Sequence, residues 1–530
     1  MNDRIKLNKP FNTFLLTMIL GFIAHGFRLT NKFFCEDSFN YLDTISASWT
    51  ISIGRFLLPV VEKIRGPKEA TWVIGVLSLI WISFTAIVVV RLFDIRSNLY
   101  VLLVSAILVC NPVVAGTFSY MYTADGYFFG LLLAVLSVYL AVKAEKFFKL
   151  AAASVLLGLS MGFYQSYVSV AILLLEIWLI LMLNDREKSL KDFWKKTGSF
   201  ALMGIMAIVV YYPLMKIVMK ITGHEVSGYM GLDGEYSFSI GRVVDIIVNS
   251  YVEFARYYLV HYVIDFYNVS NVLMFILTAA LLVILMFGGK KGKKEGKKSG
   301  AGELALRLGI EALLLLFIPV ATHIFFVLSP DVKYLSAPML YSMGIFYIFP
   351  VILMQILYSG AGDISSWKNK GDVMKRIPQG IVLVFMFAIC FHFIVITDQA
   401  YESMYRANKN MENQLNRIQV RLEMTEGYRE GMELAVIGCT YQLPEYLESA
   451  PRLSGVVSNI FMTGGSEYIN GLNWFLSTDY DGTSFEERKE IVNSAEFAEM
   501  TMWPQEGCTK VIGDIMVLYL DDRDIDQYYE

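Results

Sequence analysis

Histidine and cysteine are scarce in this chain, five of each among 530 residues. The histidines, His25, His224, His261, His323 and His392, are scattered, and no pair stands at metal-ligand spacing, which excludes a zinc motif built from them. No glycine-rich phosphate loop, nucleophile elbow or internal repeat occurs. Charge is also short, at 18% of residues against 55% hydrophobic ones. With a mean hydropathy of +0.49, that balance excludes an ordinary soluble enzyme and points to an α-helical polytopic membrane protein.

What is present is a series of apolar runs. About 20 apolar residues cross a hydrocarbon core, which predicts about eleven transmembrane helices, near 11–27, 71–90, 99–117, 126–142, 149–164, 167–183, 199–219, 270–288, 304–328, 337–358 and 379–397. The first follows Arg4, Lys6 and Lys9 but is not followed by a small-residue cleavage site, so it is read as an uncleaved first helix. Lysine and arginine collect in alternate connections, among them "RLFDIR", "KAEKFFK", "NDREKSLKDFWKK" and "GGKKGKKEGKKSG". The positive-inside rule then predicts a cytoplasmic N-terminus, with 28–70, about 117–125, the "YQS" turn, 220–269, 329–336 and everything after 397 on the outer side. Between two spans the polylysine stretch is an anchor that touches anionic lipid, not a nucleic-acid site. The first outer loop breaks the rule, because it carries Arg28, Lys32, Arg55, Lys63, Arg65 and Lys68.

The division expected is a membrane domain over 1–397 and an outer soluble domain over 398–530. The latter holds 24 acidic and 10 basic side chains, a net charge of −14, which suits a solvated α/β or α+β fold. Its Cys439 and Cys508 are candidates for a disulfide in an oxidising exterior. In the 220–269 loop, Arg242, Asp245, Glu253, Arg256 and Asp265 interrupt apolar residues at amphipathic spacing, which suits either an interfacial helix lining a groove or a structural brace.

Four outer segments bring polar residues to one depth. "RLTNKFFCEDSFNYLDT" supplies Arg28, Lys32, Glu36 and Asp37; "YMYTADGY" supplies Asp125; "GFYQSY" supplies Tyr164 and Gln165; and "HIFFVLSPDVKYLSAP" supplies His323 and Lys333, with Arg55 nearby. Charges at a membrane surface are costly unless paired or hydrated, so this predicts a polar cavity. Sugar transfer from a polyprenyl phosphate needs a base for the acceptor hydroxyl and cations for the departing phosphate. Glu36, Asp37 and Asp125 are the base candidates, and Arg28, Lys32, Arg55 and Lys333 the phosphate-binding ones.

The stretches "AHGFRLTNKFFCEDSFNYL", "SIGRFLLP", "ADGYFFGLLLAVLSVYLA", "MGFYQSYVSVAILLL" and "DVKYLSAPML" resemble the type II branch of the bacterial Gtr glucosyltransferases, of the GT-C class, over roughly the first 400 residues. The resemblance implies transfer of glucose from undecaprenyl-phosphate glucose to a surface polysaccharide at the outer face of the plasma membrane, with inversion. It puts Asp37 first and Glu36 second as the base, with Asp125 at the second acidic site. A divalent cation, Mg or Mn, held by Glu36, Asp37 and Asp125 stays open, because only some branches of the class depend on metal.

Each residue also has a plainer role open to it. Glu36, Asp37 and Asp125 suit helix N-termini; Arg28 and Lys32 suit snorkelling to head groups; Tyr164 and Gln165 suit an interfacial belt; His323 suits packing; and Lys333 suits a surface pair with Asp331. A transporter or flippase of a lipid-linked substrate is the alternative function. It is disfavoured because the charges gather at one face and Glu176 and Glu311 are the notable ionisable residues at span centres.

Overall fold

An apolar run in lipid must satisfy its own backbone, and a helix does so within one segment. The computed structural model describes residues 9–32, 34–35, 38, 47–66, 68–185, 187–229, 239–259, 265–288, 301–328, 335–358, 370–439, 465–522 and 525–529. Among them, ten helical stretches are long and apolar enough to cross a membrane, and the apolar helix Phe147–Phe163 is shorter. This is a polytopic helical membrane protein. The predicted span at 304–328 breaks at Thr322, beyond the internal Pro319, and the last one is part of a single 54-residue helix, Lys370–Glu423, roughly 80 Å long. The polar run after Asp398 therefore continues the helix that begins in the apolar segment.

Residues contact one another in two compact units. The first comprises 1–30, 47–398 and 451–456, and the second 31–46, 399–450 and 457–530.

In the first unit, Lys9–Thr30 packs on Thr71–Leu92 and Asn98–Cys110, and Ala124–Val142 packs on Thr71–Leu92 and Phe147–Phe163. Thr17 and Ser78 inside this bundle are satisfied by their own helices, donating to the Thr13 and Ile74 carbonyls at 2.8 Å each, and Ser160 donates across to the Gly130 carbonyl at 2.7 Å. At Asn111 the chain breaks and restarts. Pro112 cannot continue the preceding helix, and the Asn111 side chain caps the next one, Pro112–Ser119, by accepting from the Val113 amide at 3.0 Å. Helix Ile240–Leu259 lies within the 220–269 loop. Tyr257 and Tyr258 are buried, with Tyr258 donating to the Met343 carbonyl at 2.7 Å, while Ile240, Val244, Val248 and Val252 are exposed.

The second unit is built on a four-stranded sheet in the order β2-β1-β4-β3, with β1 Glu433–Ile437, β2 Asp481–Gly482, β3 Thr509–Ile512 and β4 Ile515–Tyr519. β1 runs parallel to β2 and β4, and β3 pairs antiparallel with β4 through a turn in which Gly513 takes φ +65°. Side-chain alternation makes two cores. Leu434, Val436, Met516 and Leu518 face a cluster that includes Leu415 and Leu422 of the long helix, and Ala435, Ile437, Val517 and Tyr519 face Ile491 and Phe497. Cys439 and Cys508 are both buried, but Cys508 is a thiol, so they are not bridged.

Candidate functional site

Ten consecutive residues, Phe118 to Tyr127, meet three arginines brought from elsewhere in the first unit. Arg28 is fully buried; its Nε donates to the Phe118 carbonyl at 3.1 Å and its Nη2 lies 4.0 Å from Glu69 Oε1. Arg65 donates from Nη2 to the Tyr122 carbonyl at 2.9 Å, and its Nη1 lies 3.5 Å from Asp125 Oδ1. Arg55 donates from Nη1 to the Tyr127 hydroxyl at 2.9 Å and stands over the Tyr164 ring at 4.5 Å. Buried guanidinium groups need such partners; the carbonyls and the phenol bind them without neutralising charge, whereas Glu69 and Asp125 offset that of Arg28 and Arg65.

The local sequence explains the approach. Pro59 starts the short helix Leu58–Arg65, which places Glu62 and Arg65 one turn apart on one face. Beside Asp125, Gly126 leaves room for that helix, since a Cβ there would stand 2.7 Å from Leu58 Cδ2. On the other side of Arg55, Gly54 takes φ +79°, a left-handed conformation that glycine adopts without strain. Gln165 then locks this turn: its Nε2 donates to the Ile53 carbonyl at 2.7 Å and to the Tyr211 hydroxyl at 3.0 Å, and Tyr211 donates on to the Gly54 carbonyl at 3.2 Å.

Two carboxyl groups in the cluster are incompletely satisfied. Asp125 Oδ1 accepts from the Gly126 amide at 3.0 Å, whereas Asp125 Oδ2 and Glu62 Oε1 are buried without a hydrogen-bond partner among the described residues. Burial pushes the Glu62 carboxyl up to about 7; Arg65 opposes the shift and Asp125 adds to it. The Tyr164 hydroxyl lies 3.4 Å from Ser336 Oγ. This arrangement can hold a proton at Glu62 near neutrality and gathers three guanidinium groups, two of them facing carboxylates, beside one segment.

The sequence-predicted residues divide accordingly. Arg28, Arg55, Asp125, Tyr164 and Gln165 belong to this region of the first unit. Lys32 belongs to the second unit, where its Nζ stands over the rings of Phe34 and Trp474 at 5.0 and 4.6 Å. His323 is held by its own chain neighbours: its Nδ1 lies 2.9 Å from the Pro319 carbonyl and its ring stacks on Phe326. Glu36, Asp37 and Lys333 lie outside the described residues. Among the described residues no group of three His, Cys, Asp or Glu side chains is placed to hold a metal, and two of the three proposed ligands are Glu36 and Asp37. Sequence reasoning passed over Glu62 altogether and counted Arg65 only as a charge against the topology rule. The signal was available in "LPVVEKIR", where a glutamate and an arginine three apart follow a helix-starting proline.

A search of curated proteins found no match to the chain. The sequence model of the family described as Glucosyl transferase GtrII matches residues 26–349, a stretch that contains Arg28, Arg55, Glu62, Arg65, Asp125, Tyr164 and Gln165. The match spans more than half of the chain, which therefore belongs to the GtrII glucosyl transferase family.

Proposed function

We propose that this glucosyl transferase takes glucose from undecaprenyl-phosphate glucose and places it on a surface glycopolymer at the outer face of the bacterial plasma membrane. Asp37, or Glu36 beside it, takes the proton from the acceptor hydroxyl as that oxygen attacks the anomeric carbon. The bond from that carbon to the phosphate oxygen breaks on the opposite face, so the configuration inverts and the lipid phosphate leaves with its electron pair. Arg28, Arg55 and Arg65 balance the charge that develops on the phosphate, with Lys333 as a further cation. Asp125 holds Arg65 in place, and Tyr164 and Gln165 hold the Arg55 turn.

The observation that carries this reading is the meeting of three partnered arginines with one ten-residue segment, in a chain of a glucosyl transferase family. It is tested in proteoliposomes with radiolabelled undecaprenyl-phosphate glucose, following label into glycopolymer. Wild-type protein is expected to transfer label and Asp37→Asn to lose transfer while inserting normally. Wild-type rates from Asp37→Asn would move the base to Glu36, and wild-type rates from both Asp37→Asn and Glu36→Gln would end the first-loop assignment.

A further inference from the structure

The soluble unit carries a net negative charge, yet three of the ten basic side chains after residue 398 line one cavity of about 890 Å³. Arg417 and Arg421 reach it from one face of the long helix, four residues apart, and Lys510 reaches it from β3. The volume is that of a small-molecule or short-oligomer site.

The groups around the cavity differ in how far they are already engaged. Lys510 is tied to Glu499 Oε2 at 3.1 Å and to the Glu496 carbonyl at 3.2 Å. Arg417 stands over the Trp503 ring at 5.5 Å, a contact that fixes the guanidinium group without using its hydrogen-bond donors. Neither Arg417 nor Arg421 makes an ion pair among the described residues, although the carboxylates Glu426 and Glu506 line the same cavity. The cavity thus offers two unspent guanidinium forks, an indole wall and two carboxylate acceptors. Forks bind phosphate or carboxylate in bidentate fashion, carboxylates accept from hydroxyl groups, and an indole face covers C–H surface. A ligand that presents all three features is a saccharide carrying an anionic group.

We propose that this cavity binds an acidic segment of the acceptor glycopolymer, one bearing a phosphate or a carboxylate, through Arg417 and Arg421. The assignment rests on the reading that the acceptor is a saccharide. It makes the soluble unit an acceptor-holding site separate in sequence from the residues 26–349 of the family match.

The test uses the full chain in nanodiscs and calorimetric titration with three probes of equal length: an oligogalacturonate, a phosphorylated oligomannoside and a neutral malto-oligosaccharide. Saturable, salt-sensitive binding of an anionic probe is expected, weakened at least about tenfold in Arg417→Gln/Arg421→Gln and retained in part by the double lysine variant. Which anionic probe binds tells carboxylate from phosphate. A melting curve matching wild type confirms that the double variant folds, and Arg421→Glu alone serves if it does not. Equal binding of the neutral probe, no binding of either anionic probe, or binding indifferent to these substitutions would overturn the proposal. Titration needs no donor, so the two readings fail separately. Glucose transfer without anionic binding removes the cavity assignment alone, and anionic binding without transfer removes the reaction alone.

Discussion

Arg65 Nη1 lies 3.5 Å from Asp125 Oδ1, with the two side chains 4% and 1% exposed. An ion pair at that burial is held by geometry, because each charge gives up its hydration and is stable only while the other is present. Asp125→Asn removes the carboxylate charge facing Arg65, whose hydrogen bond to the Tyr122 carbonyl stays in place. It is expected to cost ~3 kcal/mol, and transfer is expected to fall about 100-fold if Arg65 acts on the phosphate. Melting curves and proteoliposome transfer measure the two effects. Adding Arg65→Gln to Asp125→Asn should cost less stability than the two single changes together, as it should for partners.

Glu62 predicts a pH dependence. Its carboxyl is raised from 4.5 to about 7 by burial, so the folded state holds a proton that the unfolded chain has released. A raised value means that the stabilising contribution is complete below about 4.5 and is lost as pH rises through about 7. Between those limits it declines by ~1.4 kcal/mol per pH unit at most. The melting temperature of the wild type in detergent should therefore fall on going from mildly acidic to mildly alkaline buffer, and that of Glu62→Gln, which mimics the protonated side chain, should fall less. Parallel profiles for the two proteins would mean that Glu62 does not titrate in this window.

The membrane helices were legible in the sequence because an apolar run of fixed length has one structure open to it in lipid. Asp125, Arg28 and Arg55 were legible for a related reason, since charge against an apolar background draws attention wherever it falls. Glu62 and Arg65 were not, because "VEKIR" also reads as a solvated helix end, and only the approach of Asp125 across Gly126 makes it an interior one. Lys32, four residues after Arg28, reads as a second phosphate ligand in the sequence; its Nζ stands over the rings of Phe34 and Trp474, and it belongs to the second unit whereas Arg28 belongs to the first. Periodicity carries no mark of the passage of the chain from one unit to the next.

Gly126 offers a test of positioning without any change of charge. Gly126→Ala puts a methyl group 2.7 Å from Leu58 Cδ2, closer than carbon atoms tolerate, so the buried Leu58 side chain, or the helix that carries it with Glu62 and Arg65, must shift. A loss of about 1–3 kcal/mol and a reduced transfer rate are expected. Leu58→Ala in the same chain removes the clashing atom and should restore part of the transfer rate, although Leu58→Ala alone destabilises by leaving a cavity. Rescue of this kind separates a steric cause from a chemical one. If the double variant transfers no better than Gly126→Ala, the contact with Leu58 is not what the glycine serves.

Arg55 distinguishes the shape of a cation from its charge. Its guanidinium group donates to the Tyr127 hydroxyl and covers the Tyr164 ring at once, and the two rings themselves lie 4.9 Å apart. Arg55→Lys keeps the charge but has no planar fork with which to do both, so it should lose transfer by about tenfold or more with little change in stability. Tyr127→Phe removes the hydroxyl partner and leaves the ring. If Arg55 must be aimed by that hydroxyl, Tyr127→Phe should lower transfer in the wild-type background and have little further effect on Arg55→Lys. If any cation suffices at this position, Arg55→Lys should transfer at the wild-type rate, and the effect of Tyr127→Phe should be the same in both backgrounds. A double-mutant cycle on transfer rates, with donor concentration varied so that kcat and KM are read apart, decides between an aimed guanidinium group and a diffuse positive charge.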